Sequence, residues 1–479
     1  MVSFIDYLII ALFLVGIAAI GIFSGGKQRS VKDYFLGADN VPWWAVCFSI
    51  VAAETSTLTF ISIPGLAYLT NLGFLQLTVG YLIGRIIAAY FLLPEYFKGD
   101  LSTAYAFLET RFGKKTRSFS SIVFIFTRVA ADGVRLFATA IPIKLMLDIS
   151  YPEAIIIIAA ISFLYTFTGG VKGVIWVDAV QMFVYLGGAI ISIFFVWNLL
   201  PANWYQSAVD AGKFTILNFG FENGIAGFFQ QPYTLIGGIV GGAFLSMASH
   251  GTDQLVVQRL LAVKSLKNSQ RALIGTGIVV IVQFAIFLFL GVLFYAMHQG
   301  IVPGLKSDEV FPLFILQNLP EGVKGFIIAG LLAAALSTLA GSMSSLSSSA
   351  MMDLLLPAFG SKLNEAKQLK YSRYMTIFWA GVLVVSATFF MNSSRAVVEI
   401  ALSIASFTYG GLLGTFLLGI INKKATQEDA LAGFVAGIGI MITVISLKLT
   451  AWPWFTIIGV MATVGVGSLL SLLSGKKEA

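Results

Sequence analysis

Charged side chains are scarce in this chain: 11% of its 479 residues are Asp, Glu, Lys or Arg, less than half of the roughly 25% usual in soluble domains. Hydrophobic residues make up 58%, which excludes a water-soluble protein of this length. There is one cysteine, Cys47, so no intrachain disulfide forms; set in an apolar run, it reads as a small buried hydrophobe. There are two histidines, His250 and His298, assigned to opposite membrane faces, so no metal site assembles from them. His250 is either a satisfied interfacial histidine or a group that senses substrate or protons. A phosphate-binding loop is missing, and with it any ATP-driven motor. The apolar runs are long and continuous, which excludes a transmembrane barrel with its short alternating strands. Nothing marks a nucleic-acid partner, because a net charge of +7 in such a chain is a topology signal.

What is present is about thirteen apolar stretches, each near the 20 residues needed to cross a bilayer. They fall at 4–24, 42–69, 73–96, 118–146, 153–169, 175–199, 233–250, 273–297, 324–352, 374–391, 396–421, 428–448 and 453–474, numbered here as spans 0 to 12. The first lacks a basic flank and exceeds a signal-peptide core, so it counts as a span. Of the 30 Lys and Arg residues, 21 lie in one alternating set of connections, among them Lys27, Lys114, Lys172, Arg271, Lys367, Lys423, Lys476 and Lys477. The opposite set holds six, Lys144, Lys213, Lys306, Lys324, Arg395 and Lys448, and Arg85, Arg128 and Arg135 lie inside spans. Basic residues stay on the cytoplasmic side, so the N-terminus is expected outside and the C-terminus in the cytoplasm, in the plasma (inner) membrane. The long outer connections 200–232 and 298–323, with Trp204, Phe214, Phe228, Pro303 and Phe311, are expected to fold back over the outer face.

Two spans look broken. Span 1 places Glu54, Thr55, Ser56, Thr57 and Thr59 at mid-membrane depth, which hydrocarbon tolerates only beside a cavity, an ion or another helix. Span 6 carries Gly237, Gly238, Gly241 and Gly242, which either weaken the helix or let neighbours approach closely. Interrupted helices at matching positions in two halves indicate inverted repeats with a midplane site. In span 8, Ala334, Ser337 and Thr338 share one helix face, offering hard oxygens to an alkali cation or merely small-residue packing. Arg128, Asp132 and Arg135 share a face of span 3, as a structural or gating network or as a substrate contact. Arg85 either snorkels or pairs locally. Asp178 serves an ion path or a structural tether. No acid-base pair supports an intramembrane enzyme.

The segments DYFLGADNVPWWA at 33–45, YTFTGGVKGVIWVDAVQ at 165–181 and GTDQLVVQR at 251–259, with the Ala/Ser/Thr-rich span 8, resemble the sodium/solute symporters over residues 1–474. The resemblance implies an all-α, leucine-transporter-type five-plus-five inverted repeat. An extra helix and loop would occupy 1–41, the repeats 42–199 and 233–421, an extracellular loop 200–232, and two last helices with a short tail 422–479. It implies a Na⁺ site from the carbonyls of Ala52, Thr55 and Ala334 and the hydroxyls of Ser337 and Thr338. Some relatives hold a second Na⁺ with an acid and two serines; here Asp178 is present, but the serine positions read Ala340 and Gly341, so one Na⁺ per cycle is expected. Substrate candidates are Glu54, Ser56, Thr59, Phe74, Gln76, Thr78, Arg135 and Tyr409. Asp178, Asp132, Asp253, Gln254 and Arg259 are candidates for the ion path or gate. Glu54 departs from relatives with hydroxyls there, which argues against a simple organic anion unless Arg135 neutralises it, and leaves sugars, polyols and amino acids open. The expected activity is import of a small polar solute with Na⁺ by a protein working as a monomer in the lipid bilayer. Proton coupling through Asp178 and a passive sodium channel or facilitator are the alternatives.

Overall fold

The computed structural model describes residues 2–37, 41–99, 101–222, 224–391 and 397–473. Arg395, Lys476 and Lys477 of the charge count, and residues 38–40 of the first motif, lie outside the described residues. Among the described residues there is helix and no strand. This follows from the apolar composition, because a helix satisfies its own backbone polar groups where water is absent.

The helices that matter for the site are α1 (Phe4–Gly25), α2 (Trp43–Glu54), α3 (Thr57–Leu69), α4 (Leu75–Phe91), α5 (Lys114–Leu147), α6 (Tyr151–Trp197), α7 (Gly242–Gly251), α8 (Gln254–Leu260), α9 (Leu266–Met297), α10 (Val323–Ser349), α11 (Glu365–Phe389), α12 (Val397–Ile421), α13 (Gln427–Ser446) and α14 (Phe455–Leu473). Among the described residues, eight helices are long and apolar enough to cross a membrane, or nine if the bent pair α2 and α3 counts as one span. The expected count is higher for physical reasons. The stretch 118–146 lies within α5, whose Arg128, Asp132 and Arg135 dilute its apolar run. The stretches 153–169 and 175–199 both lie in α6, a 47-residue helix that would be about 70 Å long if straight, more than twice the hydrocarbon thickness. Gly170 breaks it with φ 58° and ψ −163°. A side chain there is disfavoured twice, by the positive φ and by the Tyr34 carbonyl oxygen 2.7 Å from where a Cβ would stand.

α10 is the central helix, buried almost throughout and packed on α6, α1 and α5. Its run of Ala, Ser and Gly makes that burial possible, since small side chains let several helices approach one axis. α1, α11, α13 and α14 bury about a fifth to two fifths of their apolar stretch and form the periphery.

Span 1 is interrupted. α2 and α3 meet at 65°, with Thr55 and Ser56 in extended conformations. The break is held by side chains: the Thr55 hydroxyl donates to the Val51 carbonyl at 2.7 Å, and the Gln283 amide of α9 donates to Thr55 Oγ1 at 2.7 Å. Tyr185 of α6 donates to the same Gln283 at 3.0 Å. Span 6 behaves differently. Its glycines form a π-helical turn, Gly237–Gly241, running directly into α7, so the helix widens without unwinding. The glycines serve contact: a Cβ on Gly80 of α4 would stand 2.2 Å from the Gly238 carbonyl oxygen. Of the two readings open for span 6, close approach is the one seen.

Phe311, from the connection 298–323, is buried and stacks on Phe60 of α3 at 5.0 Å. From the connection 200–232, Lys213 is 3% exposed. Its ammonium donates to the carbonyls of Tyr68 and Thr70 at 2.7 and 2.9 Å, at the C-terminal end of α3, and lies 4.1 Å over the Tyr295 ring. A cation suits a helix C-terminus, yet burial lowers its pKa from 10.5 to about 8. The unfolded chain keeps this proton to about pH 10.5 and the folded chain releases it near pH 8, so this group's contribution to stability rises with pH through that window and falls again as pH returns to 8. The unfolding midpoint of the wild type is expected to climb relative to Lys213→Met across the same window in a thermal scan in detergent. A pH-independent difference refutes the assignment.

Candidate functional site

The break between α2 and α3 opens onto a cavity of about 170 Å³. Glu54, Ser56 and Thr59 line it from the break, Phe74 and Tyr81 from the start and middle of α4, and Arg128 and Arg135 from α5. Ser246, Ser249 and His250 come from α7, Phe284 from α9 and Tyr409 from α12, with Asp253 at the turn after α7. Six of the eight expected substrate residues are therefore brought together: Glu54, Ser56, Thr59, Phe74, Arg135 and Tyr409.

Gln76 and Thr78 are not. Gln76 lies two residues from Phe74, roughly 200° around the helix. Its amide donates to the Gly73 and Tyr233 carbonyls and its oxygen accepts from the Asn218 N–H at 3.2 Å, so it fastens the connection 200–232. The Thr78 hydroxyl turns back onto the Leu75 carbonyl at 2.8 Å. Tyr81, Ser246, Ser249 and Phe284 were missed. Tyr81 could have been found seven residues from Phe74, and Ser246, Ser249 and His250 by their i, i+3, i+4 spacing on span 6.

Two ion-pair networks flank the cavity. In the first, one Arg85 nitrogen, Nη2, donates to both Glu54 oxygens at 2.6 and 2.7 Å, and Nε donates to Ser246 at 3.3 Å. Arg85 is buried, so of its two readings local pairing is the one observed. In the second, Arg128 pairs with Asp253 and lies 3.6 Å from Asp132, which also receives Arg135 at 3.1 Å and the Ser342 hydroxyl. The Tyr409 hydroxyl donates to Asp253 Oδ2 at 2.8 Å. Asp253 also caps α8, accepting the Leu255 N–H at 2.9 Å, so one carboxylate joins α5, α8 and α12.

The expected cation ligands lie between α2 and α10. Ala52, Thr55, Ala334, Ser337 and Thr338 are all buried. Ending α2 at Glu54 leaves its last carbonyls, Ala52 among them, beyond the reach of helical N–H donors. The Thr338 hydroxyl donates to the Ala334 carbonyl at 3.1 Å. The Ser337 hydroxyl donates to Asp178 Oδ1 at 2.7 Å, which turns its lone pairs away from the acid. The carbonyls and hydroxyls of these five residues are neutral, hard oxygens, which suit an alkali cation. Of the five, Thr338 alone borders a void of about 10 Å³, the size of one water, whose lining also includes Ser56 and the charged pair Asp132 and Arg135. Among the described residues no cluster of three or more His, Cys, Asp or Glu is placed to hold a metal.

Asp178 is fully buried, accepting the Ser49 hydroxyl at 2.6 Å and Arg259 Nη2 at 3.0 Å on Oδ2. Arg259 also donates to Ser49 and to the Leu255 carbonyl, each at 2.8 Å. Its guanidinium occupies the space beside Gly341, where a Cβ would come within 2.7 Å of Nη2. Gln254 donates to Ser348 of α10 at 3.1 Å and accepts the Ala104 N–H at 2.8 Å. α8 is thereby pinned to α2, α6 and α10. At the far end of α10, Arg117 pairs with Glu109 at 2.6 Å and with buried Asp353 at 2.8 Å, a network that spacing alone could not show.

A model of the Sodium:solute symporter family matches residues 34–437. The chain is 29% identical to the sodium/sialic acid symporter NanT of Aliivibrio fischeri, covering 97% of this chain and 92% of that protein. It is 27% identical to the sodium/sialic acid symporter SiaT of Proteus mirabilis, over 98% and 95%. The solved substrate-bound outward-open state of a Na⁺-coupled sialic acid symporter superposes with a TM-score of 0.89 at 25% identity, covering 98% of each chain. Mhp1, a nucleobase-cation-symport-1 family transporter in a closed conformation, shares the fold at 12% identity with a TM-score of 0.59, over 94% and 95%. With a family model spanning most of its length and Na⁺-coupled relatives matched nearly end to end, this chain belongs to the sodium:solute symporter family.

Proposed function

We propose that this Na⁺-coupled symporter imports a hydroxylated organic acid of the sialic acid kind with one Na⁺ per cycle. The observation that carries the solute reading is the pairing of Glu54 with Arg85. A free carboxylate in the cavity would repel an acid, and that objection falls once a guanidinium neutralises it. Arg135 then stands as the carboxylate partner: it is 22% exposed, lines the cavity, and among the described residues its one ion pair is with Asp132. An arginine presents five N–H donors in a fork suited to a carboxylate. Relatives named for sialic acid support the same class.

The Na⁺ is held by the carbonyls of Ala52, Thr55 and Ala334 and the hydroxyls of Ser337 and Thr338. Asp178 acts one shell out, orienting Ser337. Single-ion coupling is supported by Ala340 and Gly341 and by Arg259, whose charge already compensates Asp178. Asp253, Gln254 and Arg259 form the cytoplasmic gate, with Asp132 tying α5 to α10. When α8 withdraws, Arg259 leaves Asp178, Ser337 loses its fixed orientation, and the ion is released inward with the solute. One charge crossing 100 mV supplies about 2.3 kcal/mol before any concentration gradient. The protein works as a monomer of thirteen spans in the plasma (inner) membrane, N-terminus outside and C-terminus cytoplasmic, with its two repeats at 42–199 and 233–421.

In proteoliposomes with an imposed inward Na⁺ gradient, N-acetylneuraminate is expected to accumulate uphill, and choline in place of Na⁺ should abolish this. Arg135→Gln should raise KM by about 10- to 100-fold, the worth of a charged hydrogen bond. Ser337→Ala should raise the half-saturating Na⁺ concentration by about tenfold for one lost ligand. Accumulation indifferent to Na⁺, or equal uptake of a neutral hexose or proline, would refute the proposal. Separately, Arg259→Met leaves Asp178 buried and uncompensated, which should cost about 3–5 kcal/mol. Thermal unfolding should show most of that loss recovered in the double variant Asp178→Asn/Arg259→Met.

A further inference from the structure

We infer that Asp132 and the solute carboxylate compete for Arg135, and that this exchange couples solute binding to Na⁺. It rests on the proposed Na⁺ site and on Arg135 as the carboxylate partner. It deepens both by assigning the link between them to Asp132, a positioning residue that the solute does not touch.

Arg135 stands between two spaces. Among the described residues, the cavity and the void beside Thr338 share two lining residues, Ser56 and Arg135, while Asp132 and Thr338 line the void alone. Asp132 is 1% exposed, so a solute in the cavity acts on it only through Arg135, whose side chain is 22% exposed. Arg128 is less open to this role. Its side chain is 7% exposed and its Nη2 pairs with Asp253, which also accepts the Tyr409 hydroxyl.

The two oxygens of Asp132 face the two ligands. Oδ1 accepts Arg135 Nη1 at 3.1 Å, while Arg128 Nη1 lies 3.6 Å away, beyond hydrogen-bond reach. Oδ2 accepts the Ser342 hydroxyl, which also lies 2.9 Å from the Thr338 carbonyl one turn back on α10. One carboxylate thereby joins the arginine of the solute cavity to a residue of the cation site. Without ligands the charges balance, Asp132 and Asp253 against Arg128 and Arg135. A solute carboxylate on Arg135 adds one negative charge, and Asp132 feels it because its guanidinium is now shared. Burial leaves that charge poorly screened, and a cation beside Thr338 compensates it. In reverse, Na⁺ beside Thr338 draws on Asp132 and loosens its hold on Arg135, so the solute binds more tightly. The two effects are one coupling free energy and are equal in size.

The test titrates Na⁺ into the purified full chain and reads thermal stabilisation. Without solute, Arg135→Gln uncovers Asp132 as the solute would, so the half-saturating Na⁺ concentration should fall by about tenfold, within the usual range of such couplings. In the Asp132→Asn background the same substitution should lower it by less than about threefold, because the charge that draws the cation is gone. A residue that serves packing alone does not raise Na⁺ affinity when it is removed. Saturating N-acetylneuraminate should also lower the half-saturating Na⁺ concentration by about tenfold in the wild type and by less than about threefold in Asp132→Asn, with Asp132→Glu recovering part of the effect. An unchanged or raised value in Arg135→Gln, an equal fall with and without Asp132, or an undiminished solute effect in Asp132→Asn overturns the inference. Each variant is read separately, so one that does not fold leaves the other to decide. If neither folds, the wild type is compared with N-acetylneuraminate and its carboxamide at equal occupancy: the acid alone should lower the value, and equal lowering overturns the inference. If N-acetylneuraminate does not bind, the solute reading in the proposed function fails, and the Na⁺ titration of Arg135→Gln, which needs no solute, still decides the exchange. If Ser337→Ala leaves the Na⁺ response unchanged, the proposed Na⁺ site fails and the inference with it.

Discussion

A backbone inside a bilayer must pair its polar groups, and this molecule is organised around a place where a central helix is interrupted. Between Glu54 and Thr57 the chain leaves the helix and turns by 65°. The turn survives because the Thr55 hydroxyl, the Gln283 amide and the Tyr185 hydroxyl form a continuous side-chain bridge from α2 to α9 and α6. Carbonyls freed at the end of α2 and the Ser337 and Thr338 hydroxyls of α10 are buried alike. The cavity begins at the next residues, Glu54 and Ser56, so the proposed ion and solute sites fall on two sides of the same interruption.

Charge inside the molecule is handled by balance. Glu54 faces Arg85, Asp178 faces Arg259, Asp353 faces Arg117, and Asp132 with Asp253 faces Arg128 with Arg135. Removing one member of such a buried pair is far costlier than removing both. Arg128 and Arg135 meet Asp132 within α5, but Glu54–Arg85, Asp178–Arg259, Asp353–Arg117 and Asp253–Arg128 join different elements, and each of those connections holds only while its elements stay together. The pair on α8 has the longest reach, because Arg259 leads through Asp178 to Ser337. One chain of contacts thereby runs from α8 to a hydroxyl of the central helix.

Much of this was legible in the sequence, and the limits have physical causes. Glu54 to Thr59 announced a break because five polar residues cannot sit in an apolar span without compensation. Ala334, Ser337 and Thr338 shared a face by their helical offsets of three and four alone. The glycines of span 6 were ambiguous, since the same residue type permits both a break and a close contact, and only the neighbouring backbone of α4 decides. Gln76 and Thr78 were mistaken for cavity residues because spacing gives a face but not the partner that draws a side chain elsewhere. The pairing of Glu54 with Arg85 spans 31 positions and a helix boundary, beyond any local pattern. The approach of His250 Nε2 to Glu54 at 3.3 Å likewise joins α7 to α2 across nearly two hundred positions.

The widened turn at Gly237–Gly241 has a consequence for how this site could diversify. A π turn holds one residue more than the α-helical path it replaces. Deleting that residue and closing the turn would leave Ser246, Ser249 and His250 aimed as they are, because a bulge takes up its extra residue within one turn. One codon gained or lost there would alter the seam with α4, where the Gly238 carbonyl meets Gly80, and spare the edge of the chamber.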